Sequence, residues 1–323
     1  MADLAPIILF VYNRPDHTRQ TLEALSNAVL TDKSELIVFA DGPKANCSPD
    51  TLAKIQETRS LLKEKQWCGK VTINESEENK GLAANIISGV TAVVNKYGKA
   101  IVLEDDIVIG KHFLEFMNDA LNRYNDSKEV MHIAGFRPEI KTKNPNGCFF
   151  YPNMDCWGWA TWADRWQYFE KNTDKLINTL NEDMIYRFNM NGAEPGNWQQ
   201  VLDNKAGKIN TWAIYWLASI FLKKGLCLAP CKSLCKNVGF DGTGVHCGTN
   251  DAETIHGSIN HKVTNWPIKI ELDPVEYGKQ MKFFRKKNKG KFSIKRVIYK
   301  ICPKFIWNIG KLIICKIIRV HRF

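Results

Sequence analysis

The chain has 323 residues, of which 44% are hydrophobic and 24% are charged, a composition that is typical of a globular protein and excludes a disordered or fibrous chain. The formal net charge is +11, but residues 279–323 carry 15 of the 45 Lys and Arg residues and no Asp or Glu. The preceding residues therefore hold 30 basic against 34 acidic side chains, so the excess positive charge lies in a C-terminal tail.

The ten cysteines are scattered, and none forms the Cys-x-x-Cys pair that is typical of zinc sites. Cys231 and Cys235 form a loose pair, for which buried or free thiols in a reducing cytosol are the favoured interpretation over metal binding. Residues 5–12 are apolar but lack the basic start and the cleavage site of a secretory signal peptide. We therefore expect a cytoplasmic protein.

Strands and helices alternate along the first 110 residues. Short apolar segments with β-branched residues predict strands, and the amphipathic segments between them predict helices. The predicted strands and helices occupy residues 5–12, 16–27, 35–40, 48–65, 70–74, 81–97 and 99–108. This alternation predicts an α/β fold with a mostly parallel, mixed sheet and helices on both faces.

Polar side chains follow these strands where each strand ends. Asn13 and Arg14 follow the first strand, Asp41 follows the second, Lys80 opens the helix after the third, and Glu104-Asp105-Asp106 end the fourth. Ligands of such sheets bind beyond the carboxyl ends of the strands, so we expect these groups to converge at one edge. A phosphate-bearing ligand with Mg²⁺ or Mn²⁺ requires this mixture of cations and carboxylates. Each residue alone is also compatible with a solvated surface, and the coincidence at four strand ends favours a functional site.

The second half has a different composition. A helix is predicted at 112–124, a strand at 130–134 and a buried helix at 211–222, and four tryptophans lie within 155–166. Two sites are predicted here: an acceptor-sugar site and a loop contact to metal or phosphate. The candidate residues are Trp157, Trp159 and Asp241 for the sugar, and His246 in the glycine-rich loop for the metal or phosphate. The alternatives are a tryptophan-rich core and an ordinary loop histidine.

Several motifs together resemble a known family. FVYNRPDHTRQTLEAL, FADGPK, ENKGLAANI and LEDDIV resemble the nucleotide-sugar half of a GT-A glycosyltransferase of the family 2 type, with the EDD form seen in N-acetylglucosaminyltransferase I. CWGWATWADRW and SLCKNVGFDGTGVHC resemble a bacterial, haemolytic-protein-like subgroup of sugar transferases. The resemblance covers roughly residues 5–250.

The resemblance implies a role for each matching residue. It implies that the base and ribose are held by Val11, Tyr12, Asn13, Arg14 and Asp41, and that Lys80 faces the nucleotide. It further implies that Glu104 and Asp105 contact ribose and sugar, that Asp106 binds the metal bridging the diphosphate, and that His246 is directed at the metal or pyrophosphate.

One feature departs from the family pattern. Inverting relatives carry an acidic general base at the start of a helix after the Gly-Trp segment, and residues 211–216 contain no acid. Asp164 is the first substitute candidate for this base and Asp203 the second. Either can instead be a structural acid, and Asp164 can pair with Arg165.

The tail alternates apolar and basic residues. Lys311 and Lys316 interrupt its apolar pattern, so it falls short of a spanning helix and predicts a basic amphipathic helical tail on anionic lipid. Nucleic acid is the competing partner, but no nucleic-acid-binding motif accompanies the charge, so we expect none to be bound. A solvated tail is the alternative for 279–291.

These observations lead to one hypothesis and two alternatives. The hypothesis is an inverting glycosyltransferase, dependent on Mn²⁺ or Mg²⁺, that moves a sugar from a UDP-sugar to a glycan or lipid-linked acceptor in bacterial surface polysaccharide synthesis. It would lie on the inner face of the cytoplasmic membrane as a peripheral protein. Residues 1–135 would bind the nucleotide sugar, 136–275 the acceptor and 276–323 the membrane. The alternatives are a nucleotidyltransferase and a non-catalytic carbohydrate-binding protein. A nucleotidyltransferase usually has a glycine-rich loop after the first strand, and the segment NRPDHT at this position contains no glycine.

Overall fold

The computed structural model describes residues 4–242 and 255–289, in which strands and helices surround a mixed sheet. The strands are β1 Ile7–Val11, β2 Glu35–Ala40, β3 Lys70–Glu75, β4 Lys99–Glu104, β5 Ile107–Ile109, β6 Val130–Ala134, β7 Cys148–Tyr151, β8 Trp159–Trp162, β9 Leu226–Pro230 and β10 Cys235–Asn237. The helices are α1 Pro15–Ser26, α2 Pro49–Leu62, α3 Leu82–Tyr97, α4 Phe113–Arg123, α5 Ala163–Trp166, α6 Thr173–Thr179, α7 Glu182–Phe188, α8 Gly196–Lys205, α9 Ala213–Leu222 and α10 Pro274–Lys287.

The eight-stranded sheet has the order β3-β2-β1-β4-β8-β6-β9-β7. Strands β3, β2, β1 and β4 are parallel, and β8 and β7 run antiparallel to their neighbours. The chain leaves β1 in one direction to β2 and β3 and returns to β4 on the other side, so the strand order reverses between β1 and β4. The α/β fold with a mostly parallel mixed sheet, expected for GT-A proteins, is confirmed.

The elements of the first half lie close to their predicted positions, with one exception. The sequence predicts one strand over 99–108, but β4 ends at Glu104 and the chain turns through Asp105 and Asp106 before β5 begins. Strand β5 leaves the main sheet and pairs antiparallel with β10. The turn directs the two aspartates out of the sheet, and the β5–β10 ribbon brings residues after Asn237 beside them.

The tryptophan-rich segment is mostly core. Trp159 is fully buried on β8, and its ring stacks on His132 and on Trp212 at centroid distances of 5.3 and 5.2 Å. Trp162 and Trp166 are also buried. The prediction that Trp159 contacts an acceptor sugar is therefore wrong, because its ring has no face open to a ligand.

Helices α6 to α9 pack around a small core of their own. This core consists of buried residues on α6 to α9 and of the residue that follows α6. They are Leu176, Leu180, Phe188, Val201, Ile214, Tyr215, Leu217 and Ala218. The predicted helix at 211–222 is observed as α9, whereas α6, α7 and α8 were not predicted. Their apolar residues are too few to show a helical period in the sequence alone.

The beginning of the C-terminal tail is helical and packed. Helix α10 starts with Asp273 as N-cap, whose carboxylate accepts hydrogen bonds from the backbone N–H groups of Val275 and Glu276 at 2.9 Å. Tyr277 and Gln280 are buried against the body. The described part of the tail is therefore not the solvated segment considered for 279–291. Within residues 4–242 and 255–289, no helix is both long and apolar enough to cross a membrane.

Candidate functional site

An arginine bridges two acids where the strand order reverses. Arg14 follows β1, and its Nη2 contacts Asp105 Oδ1 and lies 2.9 Å from Asp106 Oδ2. Its Nε donates a second bond to Asp105 Oδ2 at 3.2 Å. Both aspartates are almost fully buried, and Thr21 on α1 fixes their turn by donating to the Asp105 carbonyl at 2.8 Å. Pro15 in the first turn of α1 holds the backbone beside Arg14 in the helical conformation.

The negative charge of this site exceeds its positive charge. Three carboxylates, those of Glu104, Asp105 and Asp106, face the one guanidinium of Arg14. Burial and then the charges of Asp106 and Asp105 raise the pKa of Glu104. Burial also raises the pKa of Asp105, although the charge of Arg14 acts in the opposite direction. A further cation at this position would relieve the repulsion.

Arg14 also has an unused donor. Its Nη1 is buried and has no hydrogen-bond partner. A buried donor without a partner costs free energy, roughly 1–3 kcal/mol. An anionic ligand oxygen beside Nη1 would supply the missing partner, which indicates a phosphate-bearing ligand at this position.

A glycine closes the other side of the acidic turn. Residues after β10 return to the site, where Val238 N donates to the Asp106 carbonyl at 2.9 Å. A methyl carbon placed on Gly239 would come closer than 3.0 Å to Asp106 Oδ2 and would lie 3.1 Å from Arg14 Nη1. The backbone therefore approaches the carboxylate as closely as only glycine permits.

Aromatic rings border the mouth of the site. Trp157 is half-buried, and its ring meets Phe136 at 4.4 Å and Phe240 at 5.4 Å. Asp241 is 44% exposed, and its Oδ2 lies 3.2 Å from Nε2 of His17 on α1. Trp157 and Asp241, two of the three predicted acceptor residues, are thus brought together at the edge that carries the acidic turn.

Asp41 links two loops at the nucleotide side. Its carboxylate accepts hydrogen bonds from the backbone N–H groups of Lys80 at 2.8 Å and Gly81 at 3.0 Å, and from the Asn79 amide at 3.0 Å. Its own backbone N donates to the Val11 carbonyl at 2.9 Å. The observed role of Asp41 is therefore to join the end of β2 to the start of α3.

The other predicted nucleotide residues surround this junction. Val11 is buried as the last residue of β1, and Tyr12 and Asn13 are half-buried. Burial, followed by the nearby Cys47 and Asp41, raises the pKa of Tyr12. The side chain of Lys80 is exposed. Whether these residues contact a nucleotide stays a prediction.

Two residues that the sequence reasoning did not select also shape the site. His132 is fully buried on β6, where its Nδ1 accepts from Trp216 Nε1 at 3.2 Å and its Nε2 donates to the Asp155 carbonyl at 3.0 Å. Asp155 Oδ1 accepts a hydrogen bond from Trp157 N at 3.0 Å. The segment that carries Trp157 is therefore fixed both by this bond and by the bond from His132 to the Asp155 carbonyl. A histidine centred in a buried strand was the available sequence signal.

The two base candidates do not lie with the acidic turn. Strand β8 is antiparallel to β4, with Trp162 opposite Lys99, so Asp164 lies at the amino end of β4, a distance of roughly 16 Å along the strand from its carboxyl end. Asp164 pairs with Lys128 at 2.5 Å and with Arg165 at 2.6 Å. The assignment of Asp164 as the base is therefore corrected, because it faces the opposite edge of the sheet.

Asp203 also falls outside the observed site. Asp203 lies on α8, where it pairs with Lys208 at 3.3 Å and belongs to the helical cluster around α6 to α9. It is an ordinary surface acid in this position. Helix α9 has no acid in its first turn. His246 lies outside the described residues.

The carboxylates present fit a divalent cation of the Mg²⁺ or Mn²⁺ type. Such ions take one or two carboxylate oxygens and complete their shell with water and substrate phosphates. In residues 4–242 and 255–289 no cluster of three or more acids, histidines or cysteines is arranged as a full metal site. The excess negative charge at Asp105 and Asp106 nevertheless fits a cation that arrives with a phosphate ligand.

A comparison with protein families finds a match, which includes the residues of the acidic turn. The family described as glycosyl transferase family 2 matches residues 7–190, more than half of the chain. No curated protein sequence matches significantly.

Solved structures show distant likeness. S. aureus TarS is 16% identical over 45% of this chain and 24% of its own, with a TM-score of 0.28. A mannosyltransferase from Pyrobaculum calidifontis in complex with GDP-Man and Mn²⁺ is 12% identical over 69% of this chain and 72% of its own, with a TM-score of 0.37. The galactosyltransferase LgtC in complex with donor and acceptor sugar analogues is 7% identical over 67% of this chain and 70% of its own, also with a TM-score of 0.37. The chain spans about a quarter of TarS, and similarity at this level supports no inference about activity.

Proposed function

The chain belongs to glycosyl transferase family 2, and we propose that it transfers a sugar from a nucleoside diphosphate sugar with the help of a divalent cation. The observation that carries the proposal is the pairing of Arg14 with the buried Asp105 and Asp106 at the switch point of the sheet. Ligands of open α/β sheets bind at this point.

The donor diphosphate would lie between Arg14 and the acidic turn. Nη1 of Arg14 would donate to a phosphate oxygen and so gain the partner that it lacks. The neighbouring Gly239 places no side chain beside Nη1, where a Cβ atom would lie 3.1 Å from this nitrogen and would crowd Asp106. Asn13, Tyr12 and Val11, which precede Arg14, would then face the nucleoside, as the sequence resemblance implies.

Asp106, with Asp105 beside it, would hold Mn²⁺ or Mg²⁺. A cation in this position supplies stabilisation of the diphosphate leaving group. The residues of the chain do the rest: Arg14 neutralises and orients the diphosphate, and the buried turn keeps the carboxylates together in a medium of low dielectric constant.

The acceptor would lie against Trp157, with Asp241 at the outer rim. The face of an aromatic ring packs on the apolar face of a sugar ring, and a carboxylate accepts hydrogen bonds from hydroxyl groups. We assign the general base to Asp155, whose carboxylate accepts from the backbone N–H of Trp157 and whose backbone carbonyl accepts from His132. It would take the proton of the acceptor hydroxyl as this attacks the anomeric carbon, and direct displacement would invert the configuration.

The finer parts of the proposal rest on the sequence resemblance and, for the acceptor, on the basic amphipathic tail. They are a UDP-linked donor, a glycan or lipid-linked acceptor in bacterial surface polysaccharide synthesis, and the haemolytic-protein-like subgroup. We also retain the division into a nucleotide-sugar half (1–135), an acceptor half (136–275) and a membrane-associating tail (276–323). With this tail, the protein would be cytoplasmic and peripheral on the inner face of the membrane.

A thermal-shift panel tests the donor site. Nucleotides and nucleotide sugars are added with and without Mn²⁺ to the wild type, to Asp106→Ala and to Asp164→Ala as the control. Asp164 is also an aspartate paired with an arginine, but it lies at the opposite edge of the sheet. A ligand at 100 times its Kd stabilises the folded state by ~2.7 kcal/mol, which corresponds to a rise of several degrees in Tm.

We expect a Mn²⁺-dependent shift with one nucleotide family in the wild type and in the control, and none in Asp106→Ala. An equal shift in all three proteins would refute the metal site. Turnover of the selected donor by Asp155→Asn tests the base, and the anomeric configuration of the product tests inversion. Donor binding without any transfer would favour the non-catalytic alternative.

A further inference from the structure

The outer face of α10 carries a row of lysines. Val275, Lys279, Lys282 and Lys286 recur at intervals of three and four residues, the spacing that places side chains on one face of a helix, and Lys289 follows in the same phase. Lys282, Lys286 and Lys289 are exposed, and Lys279 is half-buried. We call the four lysines the basic stripe.

The opposite face of α10 is fixed to the body of the protein. Tyr277 and Gln280 are buried, and Phe284 packs against the main core. The carboxylate of Glu276 accepts from Nη2 of the fully buried Arg137 at 2.6 Å. The helix therefore cannot rotate without breaking a buried ion pair, and the basic stripe keeps its outward direction.

Exposed apolar side chains lie in the segment that leads into the stripe. Residues 265–272 run beside the edge strand β7 and form bridges to it at both ends, Gly147 to Asn265 and Phe150 to Leu272. Ile268 in this segment is fully exposed, and Val275 at the start of α10 is 63% exposed. Single exposed apolar residues are ordinary, but Val275 lies in the same row as the lysines, and exposed apolar side chains combined with lysines are typical of interfacial membrane helices.

The helix that carries the stripe begins at the edge of the sheet that carries the candidate active site. Arg137, which holds α10, comes three residues after the carboxyl end of β6. Strands β6 and β4 both pair antiparallel with β8, with Ala134 and Val102 opposite Trp159, so their carboxyl ends share one edge. The first turn of α10 is thus anchored at the same edge as the acidic turn.

We propose that the basic stripe, together with the exposed Ile268 and Val275, docks directly on an anionic lipid bilayer and orients the active-site edge towards the membrane. The proposal rests on the proposed function in one respect, the peripheral membrane location of the tail. Each lysine near an anionic bilayer raises partitioning about fivefold, the equivalent of ~1 kcal/mol. A nucleic acid would use the lysines but would leave Ile268 and Val275 without a role.

Vesicle co-sedimentation of the full chain tests the proposal. The vesicles contain phosphatidylcholine alone, or phosphatidylcholine and phosphatidylglycerol in equal parts. The test variant is Lys282→Gln/Lys286→Gln, and the control is Lys33→Gln/Lys96→Gln, which removes the same charge from exposed lysines on other elements. We expect about 25-fold weaker partitioning of the test variant on anionic vesicles and no change for the control.

The apolar part has its own test. Ile268→Asn/Val275→Asn should weaken partitioning on anionic vesicles at least tenfold, and the loss should persist at high salt, which screens the lysines but not apolar insertion. Leu52→Asn on α2, where Leu52 is also exposed, is the matched control and should bind as the wild type does. Equal binding of the test and control variants in both comparisons would overturn the docking surface, as would preferential binding to a nucleic acid duplex.

The two proposals fail in different ways. Nucleotide-induced thermal shifts of the stripe variant should equal those of the wild type, because Lys282 and Lys286 are exposed on α10, whereas Arg14 pairs with Asp105 and Asp106. Loss of vesicle binding by the variant with no nucleotide shift in any protein would refute the donor site and keep the docking surface. A wild-type protein that shows the nucleotide-induced shift but does not bind anionic vesicles would refute the docking surface and keep the donor site.

Discussion

Replacing Gly239 by alanine should disrupt the acidic turn, although no charged residue is substituted. A methyl group there would lie closer than 3.0 Å to Asp106 Oδ2 and 3.1 Å from both Arg14 Nη1 and Asn237 Oδ1. Real carbon–oxygen contacts are longer, so either the carboxylate or the loop must move. Overpacking of this kind costs about 1–3 kcal/mol. If the cost falls on the bound state, donor affinity drops roughly 5- to 150-fold.

Calorimetric titration of Mn²⁺ and the nucleotide selected by thermal shift measures this loss. Gly278→Ala is the matched control, because a methyl group on Gly278 meets nothing within 4 Å. As a helical Gly→Ala change on α10, it should leave donor affinity unchanged and stabilise the fold by about 0.5–1 kcal/mol. Wild-type affinity and turnover in Gly239→Ala would refute the idea that the close approach of this loop shapes the donor site.

Further predictions concern charge and stability. The Asp164→Ala variant should keep the wild-type turnover and change the free energy of unfolding by no more than about 1 kcal/mol, because Asp164 is a partly exposed ion-pair partner at the sheet edge opposite the acidic turn. A large loss of turnover would restore Asp164 as a candidate for the base. Glu276→Gln should destabilise the fold by about 3 kcal/mol in urea titration, since the buried Arg137 loses its partner, and an unchanged urea midpoint would show that this pair does not hold α10. Burial lowers the pKa of His132 from 6.5 to about 3, so between these pH values the unfolded chain binds a proton that the folded chain does not. The neutral His132 therefore contributes its full stability above about pH 6.5. This contribution to the free energy of unfolding is lost at up to ~1.4 kcal/mol per pH unit as the pH falls towards 3. In His132→Gln the extra acid sensitivity between about pH 6 and 4 should disappear, and an unchanged slope in urea titrations at these pH values would contradict this.

Local sequence patterns predicted the first half well. Strands β1 to β4 and helices α1 to α3 depend on apolar periodicity, caps and breakers, which are properties of neighbouring residues. The convergence of Arg14 with Asp105 and Asp106 followed from the rule that parallel strands end at one edge. These features are local or topological, so one sequence was enough to predict them.

The aromatic residues show where this reasoning stopped. Four tryptophans in twelve residues are compatible with a sugar platform or with a core, and composition does not distinguish the two. The sheet decides it: the alternation of β8 directs Trp159 into the core between His132 and Trp212, whereas Trp157 precedes the strand and stays partly accessible.

The base candidates show the same limit more sharply. Asp164 and Trp157 are seven residues apart in the sequence, but β8 runs between them and carries Asp164 to the opposite edge of the sheet. The sequence by itself determined which chemistry is available: carboxylates, an arginine and aromatic rings after the ends of apolar strands. Only the tertiary structure decided which of them meet, because strand direction and register are set by long-range pairing that a single sequence does not display.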